Sequence, residues 1–143
     1  MVVKRQPFEP LYAVCTDALD DAGYVLKLNS DGTVSKAASD DVPFGIAYTS
    51  TKDPITDEAK TNVEVAIIPV RTGFVVKVKK VTGAALSPGD YVAVGSEAGK
   101  VTKWTADTTD PSTLLASLQK IVGKVVEAAA DSDEYVTIEL VGI

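Results

Sequence analysis

Twice in this sequence a tyrosine-led run of alternating residues passes through a short polar turn ending in glycine into a second alternating run. The first instance is YVLKL (24–28), NSDG and TVSKA (33–37), and the second is YVAVG (91–95), SEAG and KVTKW (100–104). Alternation with a period of two marks a strand buried on one face, and Asp31-Gly32 supplies the positive φ that a tight hairpin needs. A slip of one residue would turn every side chain to the wrong face, so few folds satisfy such a pattern. Tyr24 and Tyr91 stand 67 positions apart, as do Gly32 and Gly99. The same interval pairs Val14 with Val81, Ala18 with Ala85, Leu19 with Leu86, Val25 with Val92, Val34 with Val101 and Lys36 with Lys103. Ordinary residue frequencies would give roughly two such matches over this stretch. Each hairpin is followed by an apolar segment centred on a glycine, PFGIAYTS (43–50) and IVGKVVEA (121–128), and then by a strand, NVEVAIIPV (62–70) and YVTIELVGI (135–143). The chain therefore reads as all-β: a small barrel or sandwich built from two similar β units, 11–70 and 78–143, within one domain spanning 11–143.

Between the units, TGFVVKVKKVTG (72–83) alternates Phe74, Val76 and Val78 with Val75, Lys77 and Lys79, the pattern of a central strand. Two Asp-Pro pairs interrupt the strands, Asp53-Pro54 and Asp110-Pro111, each placing an N-cap carboxylate before proline at the first helical position. One or two short helices are expected there. The second is the more substantial, because Leu114, Leu115 and Leu118 recur at helical spacing.

Composition narrows the function. The chain has 143 residues, no histidine, one cysteine and a net charge of −6. An acidic balance has the wrong sign for gripping a phosphate backbone, so nucleic acid is not an expected partner. A lone Cys15 permits neither an internal disulfide nor a cysteine zinc cluster and reads as a small core residue. Without histidine the usual acid–base side chain near neutral pH is missing, and no base stands paired with a nucleophile; no enzyme activity and no cofactor are expected. No apolar run approaches the roughly 20 residues of a membrane-spanning helix, and the opening residues lack a signal-peptide core. No membrane contact and synthesis in a host cytoplasm are the matching expectations.

The acidic pairs Asp20-Asp21, Asp40-Asp41 and Asp131/Asp133 do not follow the spacing of a calcium loop, so they read as turn residues and no metal site is expected. Lys77, Lys79 and Lys80 form the one dense basic cluster, suited either to an acidic partner or to guarding an edge strand. The hairpin tips carry no lysine of the kind a biotin- or lipoyl-carrier module modifies. Trp104, at a hairpin end, is the candidate subunit contact.

Residues 1–10 differ from all of this. Pro7 and Pro10 hold the chain extended and remove backbone donors, and Lys4 and Arg5 are the first basic charges before Lys27. Val2, Val3, Lys4, Arg5, Gln6, Pro7 and Phe8 form a candidate attachment arm, able to add main-chain hydrogen bonds to a partner's strand edge.

The run GFVVKVKKVTGAALSPGDYVAVGSEAGKVTKW (73–104) resembles the centre of the head decoration, or cement, proteins of tailed viruses, where a valine-rich strand leads into a glycine-punctuated hairpin. KIVGKVVEAAADSDEYVTIELV (120–141) resembles their closing segment, and PFGIAYTS with NVEVAIIPV resembles an earlier copy of it. The resemblance implies a β-rich homotrimer on the outside of an icosahedral shell, binding the major capsid protein and stabilising it. The Asp-Pro segments and the arm depart from that pattern. Two other readings accompany it: another virion β module, such as a head fibre base or tail component, and a small-molecule or carbohydrate-binding barrel with Tyr12, Tyr24, Tyr91 and Trp104 lining a pocket.

Overall fold

A computed structural model describes residues 10–141. The first hairpin forms as its turn dictates: Gly32 takes φ 86°, its N–H donates to the Asn29 carbonyl at 3.0 Å, and Asp31 accepts from the Thr33 N–H at 3.0 Å. This turn sets β2 (Val25–Leu28) against β3 (Val34–Lys36), with Leu28 opposite Val34. Around them lie β1 (Leu11–Cys15), β4 (Gly45–Ala47) and β5 (Val63–Pro69). The five close into a barrel in the order β1-β3-β2-β4-β5, with β1 antiparallel to β5 and meeting β3 in parallel at Cys15 and Val34.

The remaining strands are β6 (Val75–Lys79), β7 (Tyr91–Val94), β8 (Val101–Lys103), β9 (Ile121–Val125) and β10 (Tyr135–Leu140), in the order β6-β10-β9-β7-β8. The all-β expectation holds, as a closed barrel and a second sheet. The pairing scheme recurs: β2 lies between β3 and β4 as β7 lies between β8 and β9, and a parallel bridge joins Lys80 to Val101 where Cys15 meets Val34. The register corrects the sequence alignment. β3 and β8 keep the interval read from the sequence, but Leu26 lies opposite Gly45 as Val92 lies opposite Gly123, one residue short of it. Structurally, Tyr91 answers to Val25 and not to Tyr24. In β1 and β6 the shift is two residues, since Thr16 donates to Val34 as Val81 donates to Val101.

This register explains the burial. Inside the barrel, Cys15, Leu19, Tyr24, Leu26, Val34, Ala47, Val65 and Ile67 form one core. Val25, Ala37, Ile46, Ile68 and Val70 turn to the barrel's outer face and share a second core with Val78, Val92, Val122, Val136 and Ile138 of the second sheet. Strand β4 is buried on both faces for that reason. The corresponding outer face of the second sheet meets no further sheet among the described residues: Tyr91, Lys124 and Glu139 are exposed there and Trp104 is half-buried.

Two expectations need correction. Among the described residues, the segment 72–83 yields β6 at one end of the second sheet's order. Asp53-Pro54 opens a turn and no helix: Asp53 accepts from the N–H groups of Ile55 and Thr56, and Asp57 takes a positive φ of 58° that ends any helical path. Asp110 does open α1 (Pro111–Leu118), accepting from the Thr113 N–H at 2.8 Å. The helix spans about two turns; Leu115 is exposed, and Ser117 is its buried residue.

Candidate functional site

The two halves meet at Gly23, a joint between the loop after β1 and the second sheet. Its N–H donates to the Ala47 carbonyl at 2.8 Å and its carbonyl accepts from the Lys79 N–H at 2.9 Å. A Cβ there would lie 3.3 Å from the Tyr135 ring and 3.4 Å from the β6 backbone, and φ is +100°. The positive φ is what calls for glycine, and the close neighbours leave a side chain little room.

Charged and aromatic side chains converge on this joint. The Tyr24 hydroxyl donates to Asp20 at 2.5 Å, and the Tyr135 hydroxyl donates to Asp21 across the junction. Lys79, only 8% exposed, places its ammonium 3.9 Å from Asp21, 4.8 Å from the Tyr135 ring centroid and 5.4 Å from that of Tyr24. Lys36 places its ammonium 4.4 Å from the Tyr24 ring centroid as well. Opposite charge and two ring faces compensate the burial of Lys79. The hydrogen bonds from Tyr24 and Tyr135 hold both carboxyls below their ordinary range. Burial first, and those same carboxylates second, push both phenols up.

Beside the joint a cleft of about 490 Å³ opens between barrel and second sheet. Ile46, Ile68 and Val76 line it, with Tyr48, Val75, Lys77, Asp21 and Tyr135 around them. Tyr48 and Val75 are each 60% exposed, so its mouth is apolar and open. A second hollow of about 430 Å³ lies among Leu28, Val42, Phe44, Pro69 and Arg71.

The residues singled out from sequence fare differently. Val2, Val3, Lys4, Arg5, Gln6, Pro7 and Phe8 lie outside the described residues. Trp104 is engaged within the chain: its indole N–H donates to the Ser117 carbonyl at 2.8 Å, and its ring meets Tyr91 edge-on at 6.3 Å. Helix α1 is thereby tied to the outer face of the second sheet. The proposed aromatic pocket is not assembled, because Tyr12 is exposed on β1, Tyr24 is buried in the barrel and Tyr91 pairs with Trp104.

The lysine cluster is likewise not a basic surface. Lys77 is exposed, but Lys79 is buried at the joint, and Lys80, 1% exposed, donates to the carbonyls of Val81 and Asp131 at 3.0 and 3.1 Å. Asp41 and Asp133 accept from the N–H groups of Ala38 and Ala130, both at 2.8 Å, as turn residues do. Among the described residues no three acidic, cysteine or histidine side chains gather as a metal site, and no helix is long and apolar enough to cross a membrane. Cys15 is fully buried in the barrel, where desolvation raises its thiol pKa. Sequence reading missed the Asp21–Tyr135–Lys79 joint, whose members carry no local motif.

No protein-family model matches the chain, and no curated protein does. Among solved structures its fold is similar to the N base of the head fibre protein gp8.5 in bacteriophage phi29, with a TM-score of 0.54 and 19% sequence identity over 92% of this chain and 92% of that one.

Proposed function

We propose that this chain is a structural β module of a tailed-virus particle, carried on the outside of the head. The observation that supports this most is the likeness in fold to a head fibre base over 92% of both chains, barrel and second sheet together. The molecule's build agrees with the role: two β units share one core, and charged residues seal their joint. In this reading the chain acts through contact area and rigidity, without catalysis or cofactor. The base of a head fibre, anchored to the major capsid protein, is the form that the structural likeness favours. Shell decoration as a homotrimer is the second form, favoured by the runs at 73–104 and 120–141. Mass spectrometry of gradient-purified particles is the test. A structural module appears in them at a fixed ratio to the major capsid protein, few copies for a fibre base and many for a cement. A chain found in the lysate but absent from particles contradicts both forms.

A further inference from the structure

Along one wall of the junction cleft runs a strand edge whose main-chain groups are unpaired among the described residues. In β6, the Lys80 N–H donates to Glu134 and the Phe74 carbonyl accepts from Leu140, so the even-numbered residues pair with β10 and the odd-numbered ones face away. Of the odd-numbered residues, Lys79 is taken by Gly23. Val75 and Lys77 have no hydrogen-bond partner on that side among the described residues, and both line the cleft. Across from them lie the apolar Ile46 and Ile68 and the exposed Tyr48 ring. A free edge facing an apolar wall is the geometry that receives an added strand: main-chain bonds on one side, alternate side chains packed on the other.

We propose that this cleft binds residues 2–8 of a second copy of the chain, joining copies by strand addition. The segment has the matching chemistry. Val2, Val3 and Phe8 are apolar, and Pro7 lies beyond the few residues that the edge at Val75 and Lys77 could pair. Lys4 and Arg5 outweigh Glu9, so the segment is basic while the remainder is more acidic than the whole chain's net −6. The place of β1 favours a neighbour over the chain's own cleft. Leu11 pairs with Ile67, so the chain enters β1 on the side of β5 away from β4. The cleft is lined from the other side of β5, by Ile46 and Ala47 of β4 and by Tyr48 just after it. From Pro10 back to Val3 an extended segment reaches about 23 Å, enough to cross to an adjacent molecule.

Sedimentation velocity at tens of micromolar tests this on the full chain, on a chain lacking residues 1–9, and on Val75→Lys, which sets a like charge against Lys4 and Arg5 at an exposed position. A peptide of residues 1–10 is also titrated into the shortened chain. The full chain should sediment as an oligomer and both variants as monomers, with melting temperatures within a few degrees of the parent. The peptide should bind the shortened chain, and Val75→Lys should weaken it at least tenfold. Adding Lys4→Glu and Arg5→Glu to Val75→Lys should restore assembly. A monomeric full chain, an oligomer that survives both changes, or peptide binding indifferent to Val75→Lys overturns the proposal. None of these outcomes depends on whether the chain is found in particles, so the functional reading stands or falls separately.

Discussion

Gly45 and Gly123 occupy the same place in the two halves of the molecule. A Cβ on Gly45 would lie 2.9 Å from the Ile68 carbonyl oxygen, inside contact distance, and would strike the Ile67 side chain. One on Gly123 would strike the Glu139 carbonyl oxygen and lie 2.8 Å from Ile138 Cδ1. Each glycine lets a central strand approach its neighbour closely, and in each case the obstacle includes backbone that cannot swing away.

Alanine at either position should therefore cost a similar amount, on the order of 3 kcal/mol, read as a lower denaturant midpoint. Gly73→Ala, where a Cβ meets nothing within 4 Å but φ is +73°, should cost about 1 kcal/mol. If Gly45→Ala is severe and Gly123→Ala is mild, the halves are not built alike.

The joint between the halves should be pH-sensitive. Asp20 and Asp21 are held below their ordinary 3.8 by the Tyr24 and Tyr135 hydroxyls. A carboxyl lowered on folding adds stability that is present above its unfolded value and is lost as pH falls through the folded one. The acid limb should thus begin below about pH 4, with these two groups contributing beside the turn and cap carboxylates of Asp31, Asp41, Asp107 and Asp110, which are also lowered. The phenols, raised above their ordinary 10.0, add stability that is complete below pH 10 and lost as pH climbs toward the folded values. Tyr135→Phe frees Asp21, so the variant should unfold at a higher pH on the acid side, measured by circular dichroism. An unchanged acid midpoint would show that the Tyr135 contact contributes nothing.

Among the described residues, buried Lys80 is held only by carbonyls, and both keep another donor: Ala84 N–H reaches Val81 at 3.4 Å and Gly83 N–H reaches Asp131 at 2.8 Å. Lys80→Met would orphan neither and would remove a desolvated charge, so stability should hold or rise by about 1 kcal/mol. Lys80→Ala, which leaves a cavity, should cost about 2–4 kcal/mol.

Trp104 should report on helix α1. Trp104→Phe keeps a ring against Tyr91 but loses the bond to Ser117, for about 1 kcal/mol, while Trp104→Ala should cost about 2 kcal/mol or more. Equal effects would mean that the indole N–H does not hold the helix.

Much of this fold is written locally. The two hairpins follow from their turns, and α1 follows from Asp110-Pro111. Other features are not local. β1 was hidden because Leu11, Tyr12 and Val14 are all exposed and show no alternation. Lys79 and Lys80 read as surface charges, since only distant partners, Asp21 on one side and the Asp131 carbonyl on the other, make their burial tolerable. The matched tyrosines gave an interval that fits β8 but misses β7 by one residue, because identity tracks residue type while register tracks pairing. The cleft draws on Asp21, Ile46, Val75 and Tyr135, segments that nothing short of the folded chain brings together.

The central claim concerns place, and antibody labelling of intact particles in the electron microscope tests it most directly. With an antibody raised against the purified chain, gold should decorate the outside of the head, at discrete points for a fibre base or over the whole shell for a cement. Label confined to the tail, or particles that stay bare while the same antibody detects the chain in the lysate, would contradict the account.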